Sequence, residues 1–317
     1  MALGTLLIPL FATIFLGAGA RALKLFDAED ARRMSRFVFM VAMPFAGFNF
    51  MREQPIAADI FAGLAAGYLL GLIFASVSAF VIARALLGLS VREAGAAVFA
   101  TTCGNAIFLG IPIATSIEGW ASPFLILVLF EGTCVFALAT ALMTWPETGE
   151  SGRSGFRTIV RTTRQAAIKA ATNPIVIGAL LGIAAALVEL QVPEPIAQAL
   201  GFTARTAGPM GLFILGLSAA DLVLRRQVTE MKGAALLLPI KLFLFPAVTA
   251  GFVWLFTSDA TATMVAALFT GLPPAVASIV LANVYRQWIS GVSALVTVGT
   301  LLGLVTLATF LVLTVPS

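Results

Sequence analysis

Apolar residues run along this chain in blocks of about 20, the length that spans the hydrocarbon core of a bilayer. Short clusters of Gly, Pro and charged residues separate the blocks from one end to the other. Alternation every second residue, the mark of a membrane β-barrel, is absent. The pattern predicts ten helical spans at residues 3–22, 33–51, 58–86, 93–117, 121–144, 167–189, 196–222, 233–256, 262–285 and 288–313. The first apolar run, Leu3 to Ala20, is followed rather than preceded by its basic residues, Arg21 and Lys24. It therefore reads as a span and not as a cleaved leader.

One span breaks the pattern. Residues 101–112 read Thr-Thr-Cys-Gly-Asn-Ala-Ile-Phe-Leu-Gly-Ile-Pro, with two glycines, a proline, an amide and two hydroxyls inside span 4. Gly and Pro weaken a helix, and the backbone groups they free must be satisfied by protein, water or ligand. Interrupted helices at mid-membrane are a common way to build a transporter site.

Charge fixes an orientation. With the N-terminus outside, every Lys and Arg of the 19 falls in a cytoplasmic loop or beside one, except Arg52, Arg205 and Lys241. Both termini then lie outside. For a chain of bacterial character this means the inner membrane, with the periplasm outside. The stretch from Trp145 to about Arg164 is the longest connection, basic and rich in Gly, Ser and Thr. It divides the chain into residues 1–144, a cytoplasmic linker at 145–166, and residues 167–317. Five spans per half is an odd number, so the second half must be inserted upside down relative to the first. Faint self-similarity agrees. Leu16-Gly17 matches Leu181-Gly182 and Pro44 matches Pro209 at an offset of 165, and Ala96–Phe99 matches Ala266–Phe269 at an offset of 170. The second offset sets Thr102–Asn105 of span 4 against Leu272–Ala275 of span 9, which carries Pro273-Pro274. Both halves are thus interrupted at corresponding places. Helix N-termini meeting there would favour an anion. The expectation is an all-α polytopic membrane protein of ten transmembrane helices in two inverted five-helix repeats, with helices 4 and 9 broken and crossing.

Composition narrows the chemistry. The chain is 60% hydrophobic and 11% charged, which no soluble globular domain of this length matches. It has no histidine and two cysteines, Cys103 and Cys134, both within spans. No metal-ligand spacing occurs, so no metal and no cofactor are expected. The net charge of +4 is a topology signal, not a nucleic-acid surface.

Asn105–Pro112, together with Asn173-Pro174, Lys241 ahead of Pro246, and Pro273-Pro274 with Ala277-Ser278, resembles the auxin efflux carrier family. That family contains plant PIN-type carriers and bacterial permeases assigned to malonate or malate. The resemblance covers nearly the whole chain. It implies a fold related to the bile-acid/sodium symporters and an elevator-like motion of a crossover-bearing domain against a scaffold. It further implies organic anions, usually carboxylates, as substrates, Asn105 as a substrate contact, and scaffolds that tend to pair as homodimers. The central loop is short compared with the long plant members, and the position aligned with Asn105 is Ala275, so no symmetric amide pair is evident.

The candidate substrate residues are Asn105, Gly104, Thr102, Thr101, Pro273, Pro274 and Ser278. Asn105 can donate to a carboxylate, or it can cap the broken helix end. The hydroxyls can reach a ligand or cation, or merely bond the carbonyl one turn back. Gly110, Pro112, Pro273 and Pro274 are the expected helix breaks. Glu131, near mid-depth in span 5, must be paired, protonated or hydrated, because a lone charge there costs roughly 2.5–3.5 kcal/mol on insertion scales. Lys241 snorkels, pairs with Glu131 or Asp221, or serves as a positive charge that draws the anion in. The coupling ion can be H+ through Glu131, or Na+ at hydroxyls and carbonyls of the crossover, while a uniport driven by the membrane potential needs neither.

The reading is a secondary transporter of small organic anions, embedded in the lipid bilayer, with a sodium-coupled bile-acid-type symporter as the alternative and a membrane channel or receptor behind it. An intramembrane enzyme lacks its nucleophile–base pair. A channel would show polar rings along a pore, and ATP-driven transport would show a phosphate-binding Gly-rich motif, and neither pattern is present.

Overall fold

The computed structural model describes residues 3–53, 58–145, 174–224 and 231–314. Their regular structure is helical, apart from one isolated antiparallel bridge between Gly104 and Pro274. In chain order the helices are α1 (Leu3–Ala22), α2 (28–53), α3 (Ala58–Ala85), α4a (Val91–Thr102), α4b (106–116), α5 (121–143) and α6 (Pro174–Leu187). There follow α7a (Glu194–Arg205), α7b (Ala207–Leu224), α8 (231–257), α9a (Ala260–Gly271), α9b (Ala277–Tyr285) and α10 (Ile289–Thr314). Five stretches among the described residues are long and apolar enough to cross a membrane by length and composition. They are Glu29–Glu53, Ile60–Ala85, Glu194–Leu217, Lys232–Thr257 and Ile289–Thr314. Most of the predicted linker, 146–166, lies outside the described residues, as do Asn173 and the side chain of Asp221.

Four of the helical rods contain a five-residue π-turn: Val38–Ala42 in α2, Ala106–Gly110 in α4b, Glu131–Val135 in α5 and Ile240–Leu244 in α8. Three of them stand two residues before a proline: Pro44, Pro112 and Pro246. A proline ring inside a helix clashes with the carbonyl four residues back and donates no hydrogen bond. Widening the preceding turn moves the bonding to five residues back. Met43, Ile111 and Phe245 indeed donate to Val38, Ala106 and Ile240. The helix then carries the proline without ending. This corrects one expectation: Gly110 and Pro112 do not break span 4. They sit inside the continuous rod 106–116, and the break lies earlier, at residues 103–105.

Two groups of helices emerge from the packing. In one, α1 lies along α7b, and the second half of α2 lies along α6 and α7a. In the other, α3 lies along α8, α4a packs on α3 and α5, and α8 packs on α9a and α10. Helices in lipid gain little from apolar burial, so close contact rests on small residues. Gly17 of α1 meets the Phe213 carbonyl of α7b, and Gly182 of α6 meets the Phe48 carbonyl of α2. Moving both residues of the second contact by 165 positions, in opposite directions, reproduces the first.

A candidate anion site at the crossing of two broken helices

Local sequence stops α4a and α9a at the same depth of the fold. α4a begins with a capping box, in which Ser90 accepts from the Glu93 N–H and the Glu93 side chain accepts from the Ser90 N–H. It ends at Cys103, whose backbone is extended (φ −80, ψ 118). α9a begins on Asp259, which accepts from Ala262 N–H at 2.6 Å. It ends where Leu272 precedes Pro273, because a residue before proline is driven out of the helical region (φ −56, ψ 145).

The two unwound segments satisfy each other. Asn105 N–H donates to Pro273 O at 2.8 Å, and Ala275 N–H donates to Cys103 O at 3.1 Å. These bonds flank the Gly104–Pro274 pair. They exchange with one another under the offset of 170 already visible between the halves. Further groups at the crossing find side-chain and backbone partners. Gly104 N–H donates to Glu131 Oε1 at 2.8 Å, Lys241 Nζ donates to Thr270 O at 3.1 Å, and Asn105 O accepts from Leu109 and Gly110. Glu131 is 6% exposed and Lys241 fully buried. Both side chains stand at the first turns of their π-turns, in α5 and α8. They do not form a direct ion pair among the described contacts; each is anchored to the crossing backbone instead.

Gly104 is where the segments approach most closely. A side chain there would meet Leu272 Cβ at 3.2 Å, Phe269 O at 3.3 Å and Lys241 Nζ at 3.4 Å. Pro274 and Pro273 in turn rest on Gly299 and Gly303 of α10, where a Cβ would come within 2.8 Å and 2.6 Å of the proline rings. The sequence reading passed over these two glycines, although Gly299-x-x-x-Gly303 is a small-residue packing spacing that could have revealed them. It also passed over Tyr68 of α3. That ring sits among Phe130, Phe245 and Phe269, and its buried hydroxyl has no partner among the described residues. One of only two tyrosines, at the middle of an apolar span, was the available signal.

Asn105 is buried, yet its amide does not cap α4b and makes no hydrogen bond among the described residues. The buried Ser278 hydroxyl at the start of α9b is also unpartnered. Thr101 and Thr102 bond back to Ala97 O and Val98 O at 2.8 Å, the helix-internal arrangement. Crossing segments, two helix N-termini and an unspent amide make a small polar site that can take an anion.

The flanks of this site differ. α4b is largely buried, and α7b closes over it: a Cβ at Gly211 would meet Phe108 at 3.1 Å, and one at Gly208 would meet Pro112 at 3.7 Å. On α9b, Val280 and Val284 are exposed, whereas the positions 170 residues earlier, Gly110 and Ala114, are buried.

Apolar helices interrupted around a polar crossing are the architecture of a membrane transporter rather than of an enzyme. The sequence model of the membrane transport protein family matches residues 3–311, so the chain belongs to that family, the auxin efflux carrier family. A protein of Rhizobium meliloti (strain 1021) named "Putative malonate transporter" is 27% identical over 320 residues, covering 97% of this chain and 94% of that protein.

Proposed function

We propose that this protein is a secondary transporter of small carboxylates, malonate-like dicarboxylates foremost, with the substrate held at the crossing of α4 and α9. The observation that carries this reading is the buried Asn105 amide, left without a partner among the described residues beside two helix N-termini. Asn105 donates to the substrate carboxylate, Ser278 adds a hydroxyl, and Gly104, Pro273 and Pro274 shape the floor. The name of the Rhizobium relative supports the substrate class.

Ten spans in two inverted five-helix repeats account for the exchanged contacts at Gly17/Gly182 and at Gly104/Pro274. In this reading the α3–α5 and α8–α10 group moves against the α1, α2, α6 and α7 group, carrying the crossing with it. The closed flank along α4b and the open flank along α9b describe one end of that movement. The loop after α9b carries Arg286, so the charge rule puts the open flank on the cytoplasmic side, with both termini outside.

Thermal shift of the purified protein against mono- and dicarboxylates, amino acids and sterol acids tests the assignment. A ligand at 100 times its Kd stabilises by roughly 2.7 kcal/mol. A carboxylate shift that disappears in Asn105→Ala supports the site. A sterol-acid shift that requires sodium would instead favour the bile-acid-type symporter. Counterflow in vesicles at two pH values, with and without sodium, separates H+ from Na+ coupling.

A further inference from the structure

Two charges buried at the crossing are spent on backbone, not on each other. Glu131 reaches from α5 to the Gly104 N–H, and Lys241 reaches from α8 to the Thr270 carbonyl. The first holds the unwound segment of α4. The second holds the last turn of α9a, where the partial negative charge of a helix C-terminus gathers. Both converge on Gly104, since Lys241 Nζ would lie 3.4 Å from a Cβ placed there. Each anchor comes from a helix outside the crossing and is buried. Tyr68 and Cys103 are the other groups within electrostatic reach of Glu131.

We propose that Glu131 and Lys241 are positioning residues, a buried pair of opposite charges that clamps the unwound segment of α4 and the last turn of α9a and so fixes the place of Asn105. The neutrality of the pair is what lets both charges stay buried. An isolated one would be expelled or neutralised. The clamp also accounts for the π-turn at Glu131, the one of the four that no proline follows, and it uses the π-turn that Pro246 already imposes at Lys241. Adding a residue to the turn rotates each side chain off its helix register and aims it at the crossing backbone. This inference rests on the crossing being the substrate site only for its effect on affinity; the clamp itself is tested without substrate.

Cys103 lies in the clamped segment and is buried, so its thiol reports the clamp. In a Cys134→Ser background, the rate of maleimide labelling at Cys103 is measured on the detergent-purified full chain without substrate. Glu131→Ala should quicken it about tenfold or more, the scale of losing one charge-assisted hydrogen bond. Glu131→Gln, which keeps an acceptor for Gly104, should leave Cys103 slower to react than Glu131→Ala. Should a single substitution not fold, the uncharged pair Glu131→Gln with Lys241→Met is expected to fold, with Cys103 still protected. Equal labelling of Glu131→Ala and the parent, equal labelling of the Ala and Gln variants, or a reactive Cys103 in the uncharged pair would each overturn the clamp.

Affinity supplies the second readout. Malonate binding should weaken in Glu131→Ala, and the double variant should bind no more weakly than Asn105→Ala alone, because both act through one contact. Additive losses would overturn the positioning role. Unchanged malonate binding in Asn105→Ala alone would refute the site assignment and leave the labelling result to stand by itself.

Discussion

At the residue scale, Asn105 carries the sharpest expectation. Its amide is buried and bonds nothing described, so truncation to alanine removes no protein contact and should leave the fold intact. Hydrogen bonds to a charged group contribute about 1.5–3 kcal/mol, so malonate should bind roughly ten- to a hundredfold more weakly by calorimetry. Gly104→Ala is a different matter. The added carbon meets Leu272, Phe269 and Lys241 at 3.2–3.4 Å, so thermal unfolding should show a loss of about 1–3 kcal/mol. Far from the site, Asp27 caps α2. The Asp30 N–H, then the Glu29 N–H, hold its carboxyl below the usual value of 3.8. Its folded-state value is depressed, so its contribution is complete above the unfolded value and fades as pH falls through the folded one. Exchange at the Glu29 and Asp30 amides, corrected for intrinsic rates, should quicken from about pH 5 to about pH 3. In Asp27→Ala it should be quick at both; protection that survives acid would remove Asp27 as the cap.

At the element scale, glycines separate by what they face. A Cβ at Gly299 of α10 would press on Pro274 at 2.8 Å, while one at Gly251 of α8 would meet nothing within 4 Å. Gly299→Ala should therefore lower the unfolding temperature. Gly251→Ala should hold or raise it, since alanine gains up to about 1 kcal/mol in a helix. Matching shifts for the two would mean that the prolines of the crossing do not depend on α10. The helices also show which sequence signals mislead. Pro112 looked like a break and is not one, because the π-turn before it absorbs the ring. Pro273-Pro274 looked like a break and is one, because two consecutive prolines put both Leu272 and Pro273 before a proline.

At the scale of the whole molecule, the two flanks of the crossing predict access. Val284 on α9b is exposed, while Ala114, its counterpart on α4b, is buried. In a chain lacking both native cysteines, Val284→Cys should react with a membrane-impermeant thiol reagent in inside-out vesicles and not in right-side-out ones. Ala114→Cys should resist from both sides in this conformation, and malonate should slow the reaction at Val284→Cys. Labelling of Val284→Cys from the outer side would reverse the proposed orientation.

The sequence by itself determined that the chain is helical and membrane-embedded, because a bilayer leaves unbroken apolar runs few other ways to satisfy their backbone. It also located the interruption at Pro273-Pro274, where residue types unfit for helices stand inside an apolar span, but it set the break of span 4 at Gly110 and Pro112, several residues beyond where the helix stops. The offset of 170 between the halves already sets Thr102–Asn105 against Leu272–Ala275. Only the tertiary structure decided which residues are spent and which are free. Glu131 and Asn105 were both polar candidates in broken or buried spans. Folding gave Glu131 to the Gly104 N–H and left the Asn105 amide unpaired. Lys241 was as ready to snorkel as to pair, and the packing of α8 on α9a gave it the Thr270 carbonyl. A hydrogen bond between helices depends on distances that neither periodicity nor propensity encodes, so these assignments had to wait for the packed helices.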